Sequence, residues 1–218
     1  MQHMSHIKNK LQEGKYDEAA RAFFQLIENN PDEPLHYINF ANLLLELNQL
    51  EQAKHFYEAA LEKDSKVATA TYGIGQYYYK KSHFDKAANY FQKAISQGLE
   101  DSDVFYMLGL CFVQQNQQKL AIPYLQRAVE LNESIDYLFQ YGLALAQSQY
   151  LSEAKRVLEK VINKDKEHAD ALYNLGIIAI HENNEKVAIK FLNRTISLQE
   201  DHLLAKKAIK LLEIDGTV

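Results

Sequence analysis

The 218-residue chain has no tryptophan, one cysteine, three prolines and eight glycines. A single cysteine, Cys111, cannot close an internal disulfide, so the chain suits a reducing compartment and is expected to be cytoplasmic. So few helix breakers favour helix over sheet. A dense Lys/Arg block is also missing: 24 basic residues face 29 acidic ones, for a formal net charge of -5, and no nucleic-acid partner is expected. No apolar run approaches the length of a membrane span, and the opening MQHMSHIKNKLQEGK has no apolar core of the kind a secretory signal needs. No membrane association is expected.

Catalytic signatures are missing too. The chain contains no HExxH, CxxC, GxSxG or phosphate-binding loop, so no catalytic residue, cofactor or metal is expected and the chain reads as non-enzymatic. His3 and His6 share a helix face but read as a frayed terminus rather than a metal pair. Glu18, Glu51, Asp85 and Glu153 fall at turn-to-helix junctions and read as caps and surface charge. Cys111 reads as a buried small residue rather than a nucleophile.

What is present is a period. An alanine recurs at Ala19, Ala53, Ala87, Ala121, Ala154 and Ala188, with spacings of 34, 34, 34, 33 and 34. A second small-residue series, Ala41, Gly75, Gly109, Gly142 and Gly176, shortens by one residue at the same place. Apolar i, i+4 pairs such as Ile74 and Tyr78, or Leu108 and Phe112, lie between them. A large residue follows each marker alanine by four positions: Phe23, Tyr57, Phe91, Leu125, Leu158 and Leu192. Each unit therefore reads as helix, short polar turn, helix. Asp32, Asp101 or Ser102, and Asp165 offer capping oxygens, Pro34 fits a first helical turn, and Pro123 is expected within the tolerant first turn or so of its helix.

Segments such as LYNLGIIAIHENNEKVAIKFLNRTI and VFYMLGLCFVQQNQQKLAIPYLQRAV resemble the tetratricopeptide repeat (TPR) family, with a large apolar residue, Leu-Gly, and later Ala and an aromatic or large apolar residue. The resemblance implies an all-α fold, an α-solenoid (right-handed superhelix) of about six helix-turn-helix units. In this register residues 1–218 form a single array. Its units are 1–33 (degenerate), 34–67, 68–101, 102–134, 135–168 and 169–202, with a capping helix at 203–214. Ala205, Ala208, Ile209 and Leu212 give that last helix its apolar stripe.

The stretch YGIGQYYYKK, residues 72–81, places four tyrosines on one such helix. Thr71, Ile74, Gly75 and Tyr78 share the packing side, so Tyr78 is expected in the core and Tyr77 in the seam to a neighbouring unit. Thr69, Tyr72, Gln76 and Tyr79 share another side. The same side carries Leu35, Ile38, Asn42, Leu45 and Glu46 in the second unit and Asp103, Tyr106, Leu110, Val113 and Gln114 in the fourth. The fifth has Asp136, Phe139, Leu143, Ala146 and Gln147, and the sixth Asp170, Tyr173, Ile177, Ile180 and His181. In the resembled family this side lines a concave groove. A peptide-binding groove is therefore expected at Ile38, Asn42, Leu45, Tyr72, Gln76, Tyr79, Tyr106, Leu110, Val113, Phe139, Leu143, Tyr173, Ile177 and Ile180. The competing expectation is that these rings pack on one another and leave no usable groove.

The expected function is that of an adaptor holding an apolar or amphipathic peptide or helix of a protein partner. Asp103, Asp136 and Asp170 either select Lys or Arg in that partner or simply favour their helix N-termini. The family's chaperone-tail subclass needs lysine where this chain has Ile38 and Tyr72, so that specificity is disfavoured. A self-assembling scaffold (a homo-oligomer) and a regulatory subunit of an enzyme complex are the alternatives.

Overall fold

The computed structural model describes residue 7 and residues 9–215, with the side chains of 214 and 215 outside the description; His3 and His6 lie outside the described residues. Among the described residues all regular secondary structure is α-helical. Helix α1 is described at residues 9–12. Then come α2 (Tyr16–Asn29), α3 (Pro34–Glu46), α4 (Leu50–Lys63), α5 (Ala68–Lys80), α6 (Phe84–Ser96) and α7 (Ser102–Gln114). They are followed by α8 (Gln118–Leu131), α9 (Ile135–Gln147), α10 (Leu151–Lys164), α11 (Ala169–His181), α12 (Glu185–Leu198) and α13 (Leu203–Asp215). The chain divides into two compact units, residues 1–111 and residues 112–218.

Two helices follow one another tightly because each hairpin turn contains one left-handed residue. Gly14, Asn48, Ser82, Asn116, Gln149 and Asn183 have φ between 55° and 71°, and they recur with the same period as the marker alanines. Each turn closes in the same way: Gln49 N donates to Leu44 O at 2.8 Å, His83 N to Tyr78 O at 2.9 Å and Tyr150 N to Leu145 O at 3.0 Å. These bonds satisfy carbonyls that the ending helix would leave orphaned. Asparagine tolerates this backbone and glutamine does so less well. Gln149→Gly is therefore expected to raise the unfolding free energy by about 0.5–1 kcal/mol, the relief of left-handed strain exceeding glycine's entropic cost. Urea unfolding followed by circular dichroism reads it; no gain would mean that Gln149 is unstrained.

In the first unit α3 pairs with α4 and α5 with α6, while α4 also packs on α5. The buried core includes Phe23, Phe40, Leu44, Tyr57 and Ile74. In the second unit α9 pairs with α10 and α11 with α12, α8 packs on α9 and α13 covers α12. Leu138, Leu145, Leu158, Leu175 and Ile178 belong to its core. All six marker alanines are fully buried. Helices within a pair approach so closely that a Cβ added at Gly75 would stand 2.6 Å from the Phe91 ring, and one at Gly142 or Gly176 would stand 2.9 Å from Leu158 or Leu192.

Several local expectations are corrected. Tyr78 is not core: it is half-buried, stacks on Tyr90 at 5.3 Å and lies under the Lys86 ammonium. Tyr77 does lie in the expected seam to the neighbouring unit, where it is buried and donates its hydroxyl to Glu51 of α4 at 2.8 Å. A first helix meets the second helices of its own pair and of the preceding one, so its buried arc is wider than one stripe. Pro123 lies beyond the first turn of α8, on its exposed side, where the missing N–H leaves the Lys119 carbonyl to solvent. Glu33, not Asp32, caps α3, and Asp32 pairs with Lys63 instead. Asp165 shapes the turn before α11, whose cap is the imidazole of His168.

Cys111 is buried, and burial pushes its thiol up to about 12. It is unsuited to nucleophilic work near neutral pH.

Candidate peptide-binding site

In the first unit α3, α5, the loop after α6 and the start of α7 line a cleft of about 450 Å³. Five of the residues expected in a groove come together there: Ile38, Asn42 and Leu45 from α3, and Tyr72 and Gln76 from α5. Ile38 is only 4% exposed and Leu45 only 6%. They form the floor of the cleft and do not stand up in it as open anchors. Tyr72 is half-buried because its ring rests on core Phe91, centroids 5.4 Å apart. The core thus holds the cleft wall in place.

Two amides are fixed in complementary senses. The Tyr57 hydroxyl donates to Asn42 Oδ1 at 2.5 Å, which leaves the Asn42 NH2 group as a donor toward solvent. Burial, and Glu46 nearby, raise the Tyr57 pKa, so this hydroxyl keeps its proton. Gln76 Nε2 donates to the Tyr72 hydroxyl at 3.2 Å, which leaves the Gln76 carbonyl oxygen as an acceptor. One free donor and one free acceptor in the same cleft match what a peptide unit offers.

The cleft is acidic. Glu46, Asp101 and Asp103 line it, and among the described residues no Lys or Arg does. Asp101 accepts from the Asp103 N–H at 2.9 Å and so ties the loop to the start of α7. Leu99, Asp101 and Val104 also line the cleft and were not anticipated from the repeat pattern. Leu99 and Asp101 come from the loop after α6, placed there by Gly98 at φ 95°. A glycine just past a helix end was the one sequence signal for that bend.

The other expected groove residues in this unit lie outside the cleft lining. Tyr79 packs edge-on against Phe84 at 5.4 Å, and Tyr106 and Leu110 are half-buried on α7. In the second unit Val113, Phe139, Leu143, Tyr173, Ile177 and Ile180 are all half-buried. Phe139 lies against His168 at 4.6 Å and Tyr173 against His202 at 4.8 Å. Each histidine also caps a helix, His168 Nδ1 accepting from Ala171 N and His202 Nδ1 from Ala205 N. Burial raises the Tyr173 pKa. On α13, Leu204 and Leu211 repeat the register of Asp170 and Ile177 and are 59% and 54% exposed. The repeat period would have found them had it been carried past residue 202.

Among the described residues no cluster of three or more His, Cys, Asp or Glu side chains could hold a metal ion, and no helix is long and apolar enough to cross a membrane.

Profiles of the tetratricopeptide repeat match residues 10–72, 72–134 and 137–201. The crystal structure described as "YrrB: a TPR protein with an unusual peptide-binding site" is 46% identical, covers 88% of this chain and 99% of its own, and superimposes with a TM-score of 0.82. YrrB of Bacillus subtilis is also matched over a 41-residue segment at 54% identity, covering 19% of this chain and 20% of that protein. PilF of Pseudomonas aeruginosa shares the fold at 18% identity, with a TM-score of 0.79 over 94% of each chain. Among curated relatives, human protein O-mannosyl-transferase TMTC3 is 26% identical over 81% of this chain but only 20% of its own length. TPR repeat-containing protein MJ1428 of Methanocaldococcus jannaschii is 22% identical over 88% of this chain and 37% of its own. The chain thus spans well under half of either relative. The all-α helix-pair architecture, the profile matches and the 46% identity to a solved repeat protein lead to one conclusion: the chain belongs to the tetratricopeptide repeat family, built on the α-solenoid fold class of protein-interaction modules.

Proposed function

We propose that this chain is a non-catalytic adaptor whose first unit holds an extended, apolar segment of a protein partner carrying a Lys or Arg. The observation that carries this reading is the cleft of Ile38, Asn42, Leu45, Tyr72 and Gln76. It combines an apolar floor, an opposed amide donor and acceptor, and a carboxylate-lined edge. The apolar surface supplies affinity, the amides fix the peptide backbone, and the carboxylates reject acidic segments. The described peptide-binding site of YrrB supports the same reading. A cytoplasmic setting fits the single buried cysteine.

Selection of random displayed peptides on the protein tests this. Selected peptides are expected to pair an aromatic or aliphatic residue with Lys or Arg. Tyr72→Ala and Gln76→Ala should each weaken the selected peptide by roughly five- to thirtyfold, about 1–2 kcal/mol for a ring or a paired amide. Circular dichroism should report both variants folded. Peptides that bind these variants as tightly as the parent would place the site elsewhere.

A further inference from the structure

A second cavity, of about 730 Å³, lies in the second unit between α10, α11 and α12. Ile162, Leu172 and Phe191 make its apolar base, and Lys166, Lys190 and Arg194 stand around it. Among the described residues no carboxylate lines it, and none of these three cations is in an ion pair. Elsewhere on the chain Lys54, Lys63, Lys81, Lys155 and Lys160 each pair with a carboxylate. Three cations over an apolar base make this rim basic in a chain of formal net charge -5. They call for an occupant that brings carboxylates next to exposed apolar side chains.

The same unit carries such an element at the turn from α12 to α13. Glu200 and Asp201 are exposed and, among the described residues, in no ion pair; one residue, the helix-capping His202, separates them from the exposed Leu203, at 77%, and Leu204, at 59%. Leu203 has the highest exposure of any large hydrophobic residue described. We infer that the α10–α12 cavity receives this acidic–apolar corner, residues 200–204, from a second copy of the chain. The leucines enter the apolar base, and Glu200 and Asp201 meet Lys166, Lys190 and Arg194. Ser197 lines the cavity and the corner begins three residues later, past the end of α12 at Leu198, so a two-fold arrangement can make each contact twice. The charges set partner choice and salt dependence, and the leucines supply the burial. This inference is independent of the cleft in the first unit.

Sedimentation velocity of the full chain, from micromolar to roughly millimolar, tests it. The parent protein is expected to associate with concentration, about tenfold more weakly in high salt because screening removes most of the surface attraction. The double variants Lys190→Glu/Arg194→Glu and Glu200→Lys/Asp201→Lys should each stay monomeric while remaining helical. An equimolar mixture of the two should associate again, because each reversed surface then meets its complement. A parent that is monomeric throughout, association untouched by either double variant, or failure of the mixture to associate would overturn the inference. Lauric acid, or an acidic amphipathic peptide, binding at Lys190 and Arg194 to a strictly monomeric parent would give the cavity a different occupant and overturn it likewise.

Discussion

Phe91→Ala is expected to lower the unfolding free energy by about 3–5 kcal/mol, the usual cost of emptying a fully buried aromatic site. Phe91 is completely buried, with Gly75 close against its ring and the Tyr72 ring 5.4 Å from it. The Gly75 backbone cannot collapse into the space without moving α5, so much of the cavity should persist. Phe91→Leu should cost much less, about 1–2 kcal/mol, because leucine is the residue at the matching, equally buried positions 125, 158 and 192. The alanine variant should also weaken peptide binding in the first-unit cleft, since Tyr72 loses its support. Urea unfolding measures the first effect and the selected peptide the second. A loss below about 1 kcal/mol would mean that this contact is loose.

Gly73→Ala should be the more damaging of the two small glycine changes on α5. An added Cβ would stand 2.3 Å from two carbons of the Tyr57 ring, against 2.6 Å from Phe91 for Gly75. Tyr57 cannot swing away, because it is fully buried and its hydroxyl is bonded to Asn42. Overpacking of this kind costs about 1–3 kcal/mol, sometimes more, and the rigid ring places Gly73→Ala at the upper end. Tyr57→Leu should relieve it, so the double variant is expected to be more stable than Gly73→Ala alone. If the two changes simply add, Gly73 and Tyr57 are not in the contact described.

The architecture was readable because its spacing rule is physical. Marker alanines recur where two helices come closest and no larger side chain fits, so the period in the sequence is the period of the packing. Gly73 was not readable in that way. It belongs to one seam, against one tyrosine, and has no counterpart in the other units. The left-handed series Asn48, Ser82, Asn116, Gln149 and Asn183 did carry the period, but its residue types vary too much to stand out. Tyr77 keeps the seam expected of it, and Tyr78 leaves the core, because a helical wheel assumes one buried face and these first helices are covered from two sides.

The cleft was partly readable for the same reason. Ile38, Asn42, Leu45, Tyr72 and Gln76 occupy one helical side, so the repeat register alone groups them. Their individual environments were not readable. Ile38 and Leu45 sink to the floor because of what surrounds them, and the amide of Asn42 gains its direction from the Tyr57 hydroxyl on the next helix, while that of Gln76 takes its direction from Tyr72 one turn earlier. Leu99 and Asp101 enter from a loop, where side-chain periodicity carries no information.

The most direct test of peptide binding in the first-unit cleft is a titration of isotopically labelled protein with the selected peptide, watching the side-chain amide signals of Asn42 and Gln76 by NMR. Both signals are expected to shift and saturate together with the binding curve. Signals that stay in place while the peptide binds, with the shifts gathered on the outer faces of α4 and α6 instead, would contradict it.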